Sequence, residues 1–449
     1  MVKPICKYAV IIKNVKEVAY QFEKSIAISK SGRMGPVLIE IPDDISRMNM
    51  PKKLIRYKPK KKKVNQNKLL ISKVKKMLEN SKKPIFLVGN GLVQSGALNL
   101  FKKFIKKNKF PYAASWAVID KFQTNHNLNA GSFGVAATRF GNFSIQSSDL
   151  IICLGLRLSS QIVGGNLKEF CPNAKKIVVD MDPEEFTNHR LPKIDLKIVS
   201  DVYIFLKNLN KLKFKTNNHK YDKWIKKINL LKKDFPIVSK NNIKNKNYVD
   251  PYFFFNELYK SIKKNSIIIP DASANLIWAY QCIRTDKKPE MFTAFNHSPM
   301  GYSMAASIGA YLGSKKKKIY AIIGDGSMPM NIQELETIKN YNIDVTIIVI
   351  NNQGYGLIKQ TQEKWLRSNF AGSNKKGGLS LPNNNEIAKS YKIKNLVLKN
   401  NKEVKTKIKN FLKLKGPLLI DIKIDPKSRV KPKIEFGNPL HNMSPLLSE

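Results

Sequence analysis

Short apolar runs that end abruptly in small or polar residues recur along this chain and alternate with stretches of helical periodicity. Ile319 to Ile323 ends in Gly324-Asp325-Gly326-Ser327, and Val345 to Ile350, almost wholly apolar and rich in β-branched residues, ends in Asn351-Asn352-Gln353-Gly354. Runs of this kind are expected of parallel strands buried on both faces. Between them Ile332, Leu335 and Ile338 fall at helical spacing and predict a helix over 331–340. The unit is strand, turn, helix, strand, turn, with polar groups at the carboxyl ends of both strands, where open α/β sheets bind ligands. The same punctuation marks Pro84 to Val88 before Gly89-Asn90-Gly91, Leu150 to Leu154, Lys176 to Asp180, and Ile267 to Ile269 before Pro270-Asp271-Ala272-Ser273-Ala274-Asn275. Near the N-terminus a helix over 15–30 precedes Val37-Leu38-Ile39-Glu40-Ile41, which reads as a buried strand ended by Pro42. The alternation predicts an α/β chain of several domains with parallel, doubly wound sheets.

The 449 residues divide on this pattern into six segments. Residues 1–50 hold one helix and one strand, too little to bury a core alone. A Pro- and Lys-rich linker covers 51–66, a central α/β domain 67–210, and a basic connecting stretch 211–247, with one exposed helix over 220–233. The third domain spans 248–425, completed by a helix and a strand over 381–422. The tail 426–449 is either an ordered cover or a loose end.

Charge changes the picture less than its size suggests. The formal net charge is +47, from 80 Lys and Arg against 33 Asp and Glu. Lysine supplies most of the excess and lies in every segment, which reads as a bias of the whole composition. No specific nucleic-acid partner is therefore expected, although polyanions should bind non-specifically. Four cysteines (Cys6, Cys153, Cys171, Cys282) show no metal-ligand spacing and read as free thiols in a reducing cytoplasm. No apolar run reaches membrane-spanning length, and no signal peptide is read at the start.

The paired strand ends suit a diphosphate held through a divalent metal. Gly324 and Gly326 let the backbone approach phosphate oxygens, and a following helix N-terminus favours negative charge. Asp325 offers one hard oxygen, Asn352 a second, 352 − 325 = 27 residues on, and the Gly354 carbonyl a third. Few protein ligands completed by phosphate oxygens and water is how magnesium is usually held. Taken singly, each glycine motif is only a tight turn. Ser273 is either a phosphate contact or an N-cap.

The run GDGSMPMNIQELETI followed by VINNQGYG resembles the cofactor-diphosphate motif of thiamine-diphosphate-dependent enzymes, and more narrowly the acetolactate synthase large-subunit family. The resemblance implies Asp325, Asn352 and the Gly354 carbonyl at magnesium, with Ser273, Gly324, Gly326, Ser327 and Asn352 at thiamine diphosphate. Met300, before Gly301, matches the bulky residue that bends the cofactor. Ile358 matches an aliphatic residue standing where simple decarboxylases carry a proton-donating glutamate. Read without the resemblance, both are core side chains. Gly155-Leu156-Arg157-Leu158 matches a strand-end arginine motif of the family's central domain, where acetolactate synthases carry FAD; Arg157 in a plain salt bridge is the alternative. Thr361 stands where a tryptophan is typical, which is closer to relatives found with surface-sugar genes.

What this implies is a carboligase of the acetolactate synthase type, of branched-chain amino acid biosynthesis, which decarboxylates pyruvate and joins the product to a second 2-oxo acid. A related decarboxylase or lyase of a surface-sugar pathway is the alternative within enzymes. Residues 1–50 resemble only the last part of the family's pyrimidine-binding domain, and no residue matches its cofactor-activating glutamate. The expectation is therefore a homodimer or higher oligomer, with a partner carrying the pyrimidine domain or else an inactive cofactor-binding chain.

Overall fold

The computed structural model describes residues 1–59, 68–187, 190–214, 219–239, 242, 247–295, 297–435 and 437–447. The lysine-rich part of the expected linker from residue 60 onward, most of 240–246 and the last two residues of the tail lie outside the described residues. The first unit pairs β1 (Tyr8–Ile11) with β2 (Val37–Glu40) in a two-stranded parallel sheet, with the helix Val18–Lys30 against it. The second strand was expected to be buried. It is half-buried and ends exposed at Glu40, because two strands and one helix cannot cover both faces.

The central domain carries five parallel strands in the order β4-β3-β5-β6-β7: β3 (Pro84–Val88), β4 (Tyr112–Ala114), β5 (Leu150–Leu154), β6 (Lys175–Asp180) and β7 (Leu196–Val199). β3 and β5 are buried along their whole length, as their continuous apolar runs require. The expected exposed helix over 220–233 forms at Asp222–Asp234, but only its outer face is exposed. Its Trp224, Ile225 and Ile228 are buried, with the Trp224 indole donating to the Pro84 carbonyl at 3.0 Å and the preceding Tyr221 hydroxyl to Leu78 at 3.0 Å. Lysines on its outer face disguised an amphipathic helix as a solvated one.

The third domain has six parallel strands in the order β12-β13-β11-β10-β8-β9: β8 (Ile267–Pro270), β9 (Glu290–Met291), β10 (Ile319–Gly324), β11 (Val345–Asn351), β12 (Lys394–Leu398) and β13 (Leu418–Lys423). Ile347, Ile348 and Val349 of β11 are fully buried, each contributing roughly 1.5–3 kcal/mol of transfer free energy. Residues 381–422 contain two helices, Asn384–Ser390 and Asn401–Phe411, and two strands, rather than one of each. The tail is an ordered cover: the strands at Lys433–Ile434 and Met443–Ser444 pair antiparallel, and Ile434, Leu440 and Met443 pack into the core of the central domain. Gln281, buried at the junction, donates to the carbonyls of Ala136, Ala137 and Pro432 and so ties the two large domains and the tail together.

Candidate active site

Chain direction explains where the site lies. After β8 the chain passes to β9 on one side, while β10 lies on the other, so the strand order reverses between β8 and β10. The loops leaving these two strands open a crevice there, where doubly wound sheets hold ligands. The loop after β8 carries Asp271 to Asn275, and the loop after β10 carries Gly324 to Ser327.

Asp325 is buried, its N–H donating to Ile350 at 3.2 Å. Its carboxylate accepts from the N–H of Gly326 at 3.0 Å and of Gly354 at 3.2 Å, which clamps the β10 and β11 loops together. Burial nevertheless pushes its pKa up to about 6, against the lowering effect of these bonds and of nearby Lys359. Asn352 is also buried, and its side-chain oxygen faces only acceptors: Asp325 Oδ1 at 3.1 Å and the Gly354 carbonyl at 2.6 Å. In the protein alone the amide would turn, to donate from its nitrogen to both. With the oxygen inward, three oxygens converge with no proton among them, an arrangement that a cation between them would stabilise. The donor set is hard, small in number and oxygen-only, which fits magnesium. Among the described residues no cluster of three or more His, Cys, Asp or Glu side chains offers another metal site.

The neighbouring crevice fits a diphosphate. A Cβ at Gly324 would meet nothing nearer than Asn275 Nδ2 at 3.5 Å and Ser327 Oγ at 3.9 Å. Asn275 is buried, its side-chain oxygen has no partner among the described residues, and its NH2 is the group nearest to a Cβ built at Gly324. Gly326 has a different reason from phosphate approach: a Cβ there would stand 2.3 Å from the Tyr355 ring. Gly354, at φ +146°, would strike the Ser373 carbonyl at 2.3 Å. The helix expected at 331–340 starts only at Glu334; the GDGS turn runs instead into a 3-10 turn, Met328–Asn331, with Pro329 in its first positions. No α-helix N-terminus therefore follows the GDGS turn directly to favour an anion there.

Ser273 lies at the first position of the helix Ser273–Gln281, exposed and in the left-handed region at φ +65°. Ala272 is the residue at the cap, so Ser273 is not an N-cap. Ser327 is buried, its hydroxyl close enough to the Asp271 carboxylate to lower that group's pKa. Met300 and Ile358 are not core residues; they are 36% and 52% exposed, as expected of side chains facing a ligand or a partner surface. In the helix Tyr302–Gly313 a Cβ at Gly309 would meet open space, and Ser303, Met304, Ser307 and Tyr311 form the packed face.

Two buried groups at the site escaped the sequence reading. Asp271, fully buried at the end of β8, accepts from the N–H of Gly301 at 3.1 Å and of Ser303 at 2.9 Å, and so fixes the turn that presents Met300. Burial raises its pKa, partly offset by these bonds. Its only sequence signal was an acid at the end of an apolar run. Lys359, buried on the helix Gly356–Trp365, donates to the carbonyls of Asn352 at 3.3 Å and Pro426 at 3.1 Å. A lysine inside a helical pattern reads as solvated, and no signal distinguished it.

In the central domain Arg157 makes the salt bridge that was its alternative reading. Its Nε lies 2.9 Å and its Nη2 2.5 Å from Glu185, which also pairs with Arg33 of the first unit. Gly89, Gly91 and Gly155 pack backbone to backbone, a Cβ on Gly89 standing 2.3 Å from the Gly155 carbonyl, so these glycines are explained by chain packing. No described helix is long and apolar enough to cross a membrane, and all four cysteines are free.

Residues 71–209 match the family model of the thiamine pyrophosphate enzyme central domain, and residues 271–422 that of the C-terminal TPP-binding domain. The chain is 31% identical over 448 residues to the acetolactate synthase large subunit of Cyanidium caldarium, covering 97% of this chain and 74% of that protein. A probable acetolactate synthase large subunit of Methanococcus aeolicus is 30% identical, covering 95% and 73%. The large subunit of Buchnera aphidicola is 29% identical, covering 98% and 77%. With both domain matches falling on the two large sheets, and the three-oxygen cluster inside the second, the chain belongs to the acetolactate synthase large-subunit family of thiamine-diphosphate enzymes.

Proposed function

We propose that this chain acts as a thiamine-diphosphate- and magnesium-dependent acetolactate synthase, taking pyruvate as the first of two 2-oxo acids. The observation that carries the reading is the meeting of the Asp325 carboxylate, the Asn352 side-chain amide and the Gly354 carbonyl beside the crevice between β8 and β10. When bound, thiamine diphosphate supplies the electron sink for decarboxylation of the 2-oxo acid. In this reading Asp325, Asn352 and Gly354 hold the magnesium, and Gly324, Gly326, Ser327 and Asn275 line the diphosphate. Asp271 is a positioning residue that sets the turn bearing Met300. Ile358 presents hydrocarbon and no proton, which favours carbon–carbon bond formation over protonation. Met300, Met330, Ile358, Trp365 and Leu366 are exposed apolar side chains on segments around the site, which supports burial in a homodimer. A flavin gains no support from Arg157, whose guanidinium is taken up by Glu185.

The test is acetolactate formation from pyruvate by polypeptide 1–449 with magnesium and cofactor, alone and with a polypeptide bearing the family's pyrimidine-domain glutamate. Slow turnover alone that rises with the second polypeptide is expected. No acetolactate in either arm would overturn the assignment. Full turnover in the first arm would overturn the need for the added glutamate.

A further inference from the structure

A cavity of about 470 Å³ lies where the central domain, the segment after Asp234, the helix Pro251–Ser261 and the tail meet, and none of Asp325, Asn352 and Gly354 is in its wall. Its volume is that of a small-molecule site. Arg139 lines it, only 9% exposed, and its guanidinium donates to the carbonyls of Met443 at 3.2 Å and Pro445 at 2.6 Å. Among the described residues no carboxylate pairs with it, and burial alone pushes its pKa down. A buried charge without a counter-ion is costly, so the site favours an anion. Lys427 and Lys431, both exposed on the same wall, also have no acidic partner among the described residues.

The acids of the cavity do not answer these cations. Asp250 is committed to the helix, accepting from the Phe253 N–H at 3.0 Å and from Asn242 at 3.1 Å. Asp234 is exposed and solvated. Arg429 is already paired with Glu363. The rest of the wall mixes apolar and polar groups, with Phe235, Ile237, Tyr252 and several prolines beside Ser239, Asn242 and Ser428. A cationic end beside an aromatic wall fits a phosphate group carried on a small organic body. We propose that this cavity is a second ligand site, for a phosphomonoester, separate from the diphosphate crevice.

Calorimetry with AMP as the probe, on polypeptide 1–449 in about 0.15 M salt, where exposed charges are screened within ~8 Å, tests this. One saturable site per chain is expected, weakened at least tenfold in Lys427→Ala/Lys431→Ala and in Arg139→Gln. The paired lysine variant, altered only at exposed positions, keeps the test decisive if Arg139→Gln fails to fold. Asp325→Asn, at the diphosphate site, and Lys405→Ala/Lys409→Ala, on an exposed helix face, should leave the affinity unchanged. The absence of a saturable site, an equal loss in the Lys405/Lys409 control, a loss in Asp325→Asn, or full affinity without Lys427 and Lys431 would each overturn the proposal.

Discussion

Asp325→Asn should move stability and ligand binding in opposite directions. The substitution keeps the shape of the side chain and one oxygen for the Gly326 N–H, but removes the charge and the acceptor for Gly354. In the metal-free protein burial raises the carboxyl from 3.8 to about 6. A folded pKa above the unfolded one means stability is fully present below about pH 3.8 and lost as pH rises through about 6. The loss at pH 7 is about 6 − 3.8 = 2.2 units, or about 3 kcal/mol. Asparagine carries no such cost, but leaves the Gly354 N–H poorly satisfied, for about 1 kcal/mol. The net expectation is about 2 kcal/mol of added stability for the third domain, a rise in Tm of roughly 4–8 °C. The same change removes the only formal charge of the proposed magnesium site, so binding of magnesium with thiamine diphosphate should weaken at least about a hundredfold, or ~2.7 kcal/mol. Thermal unfolding in chelator at pH 4 and pH 7, followed by calorimetry with magnesium and cofactor at pH 7, reads both. The stability gain should appear at pH 7 and vanish at pH 4. A variant no more stable at pH 7, or one that binds as tightly as the wild type, would refute the reasoning.

Ile358→Glu places a proton donor on the exposed face beside the metal loop, so active enzyme should release more acetaldehyde and less acetolactate from pyruvate, as read by product analysis. Gly326→Ala drives a methyl into the Tyr355 ring and should cost about tenfold or more in cofactor affinity; adding Tyr355→Ala should recover part of it, and no recovery would exclude that clash as the cause. Lys359 lowers the pKa of Asp325, so Lys359→Met should move the midpoint of the pH dependence of metal-dependent cofactor binding upward; an unmoved midpoint would mean that the two groups are not coupled.

The apolar runs by themselves determined the strands that matter: β3, β5, β8, β10 and β11 form within a residue of where the sequence puts them. That follows because strands buried on both faces must be apolar throughout, and each ends where polar residues begin. The cluster Asp325, Asn352 and Gly354 was legible for the same reason, since its members sit at the ends of neighbouring strands. Contacts between distant segments were decided only by the tertiary structure. Asp271 serves Gly301 and Ser303, Gly326 answers to the ring of Tyr355, and Lys359 joins Asn352 to Pro426, and none of these pairings leaves a local periodicity. Arg157 found Glu185, and Ile358 came to lie exposed, because the direction a side chain faces depends on which elements pack against its own. Sequence patterning reports burial averaged over an element, whereas hydrogen bonds and clashes are settled atom by atom once the elements have docked.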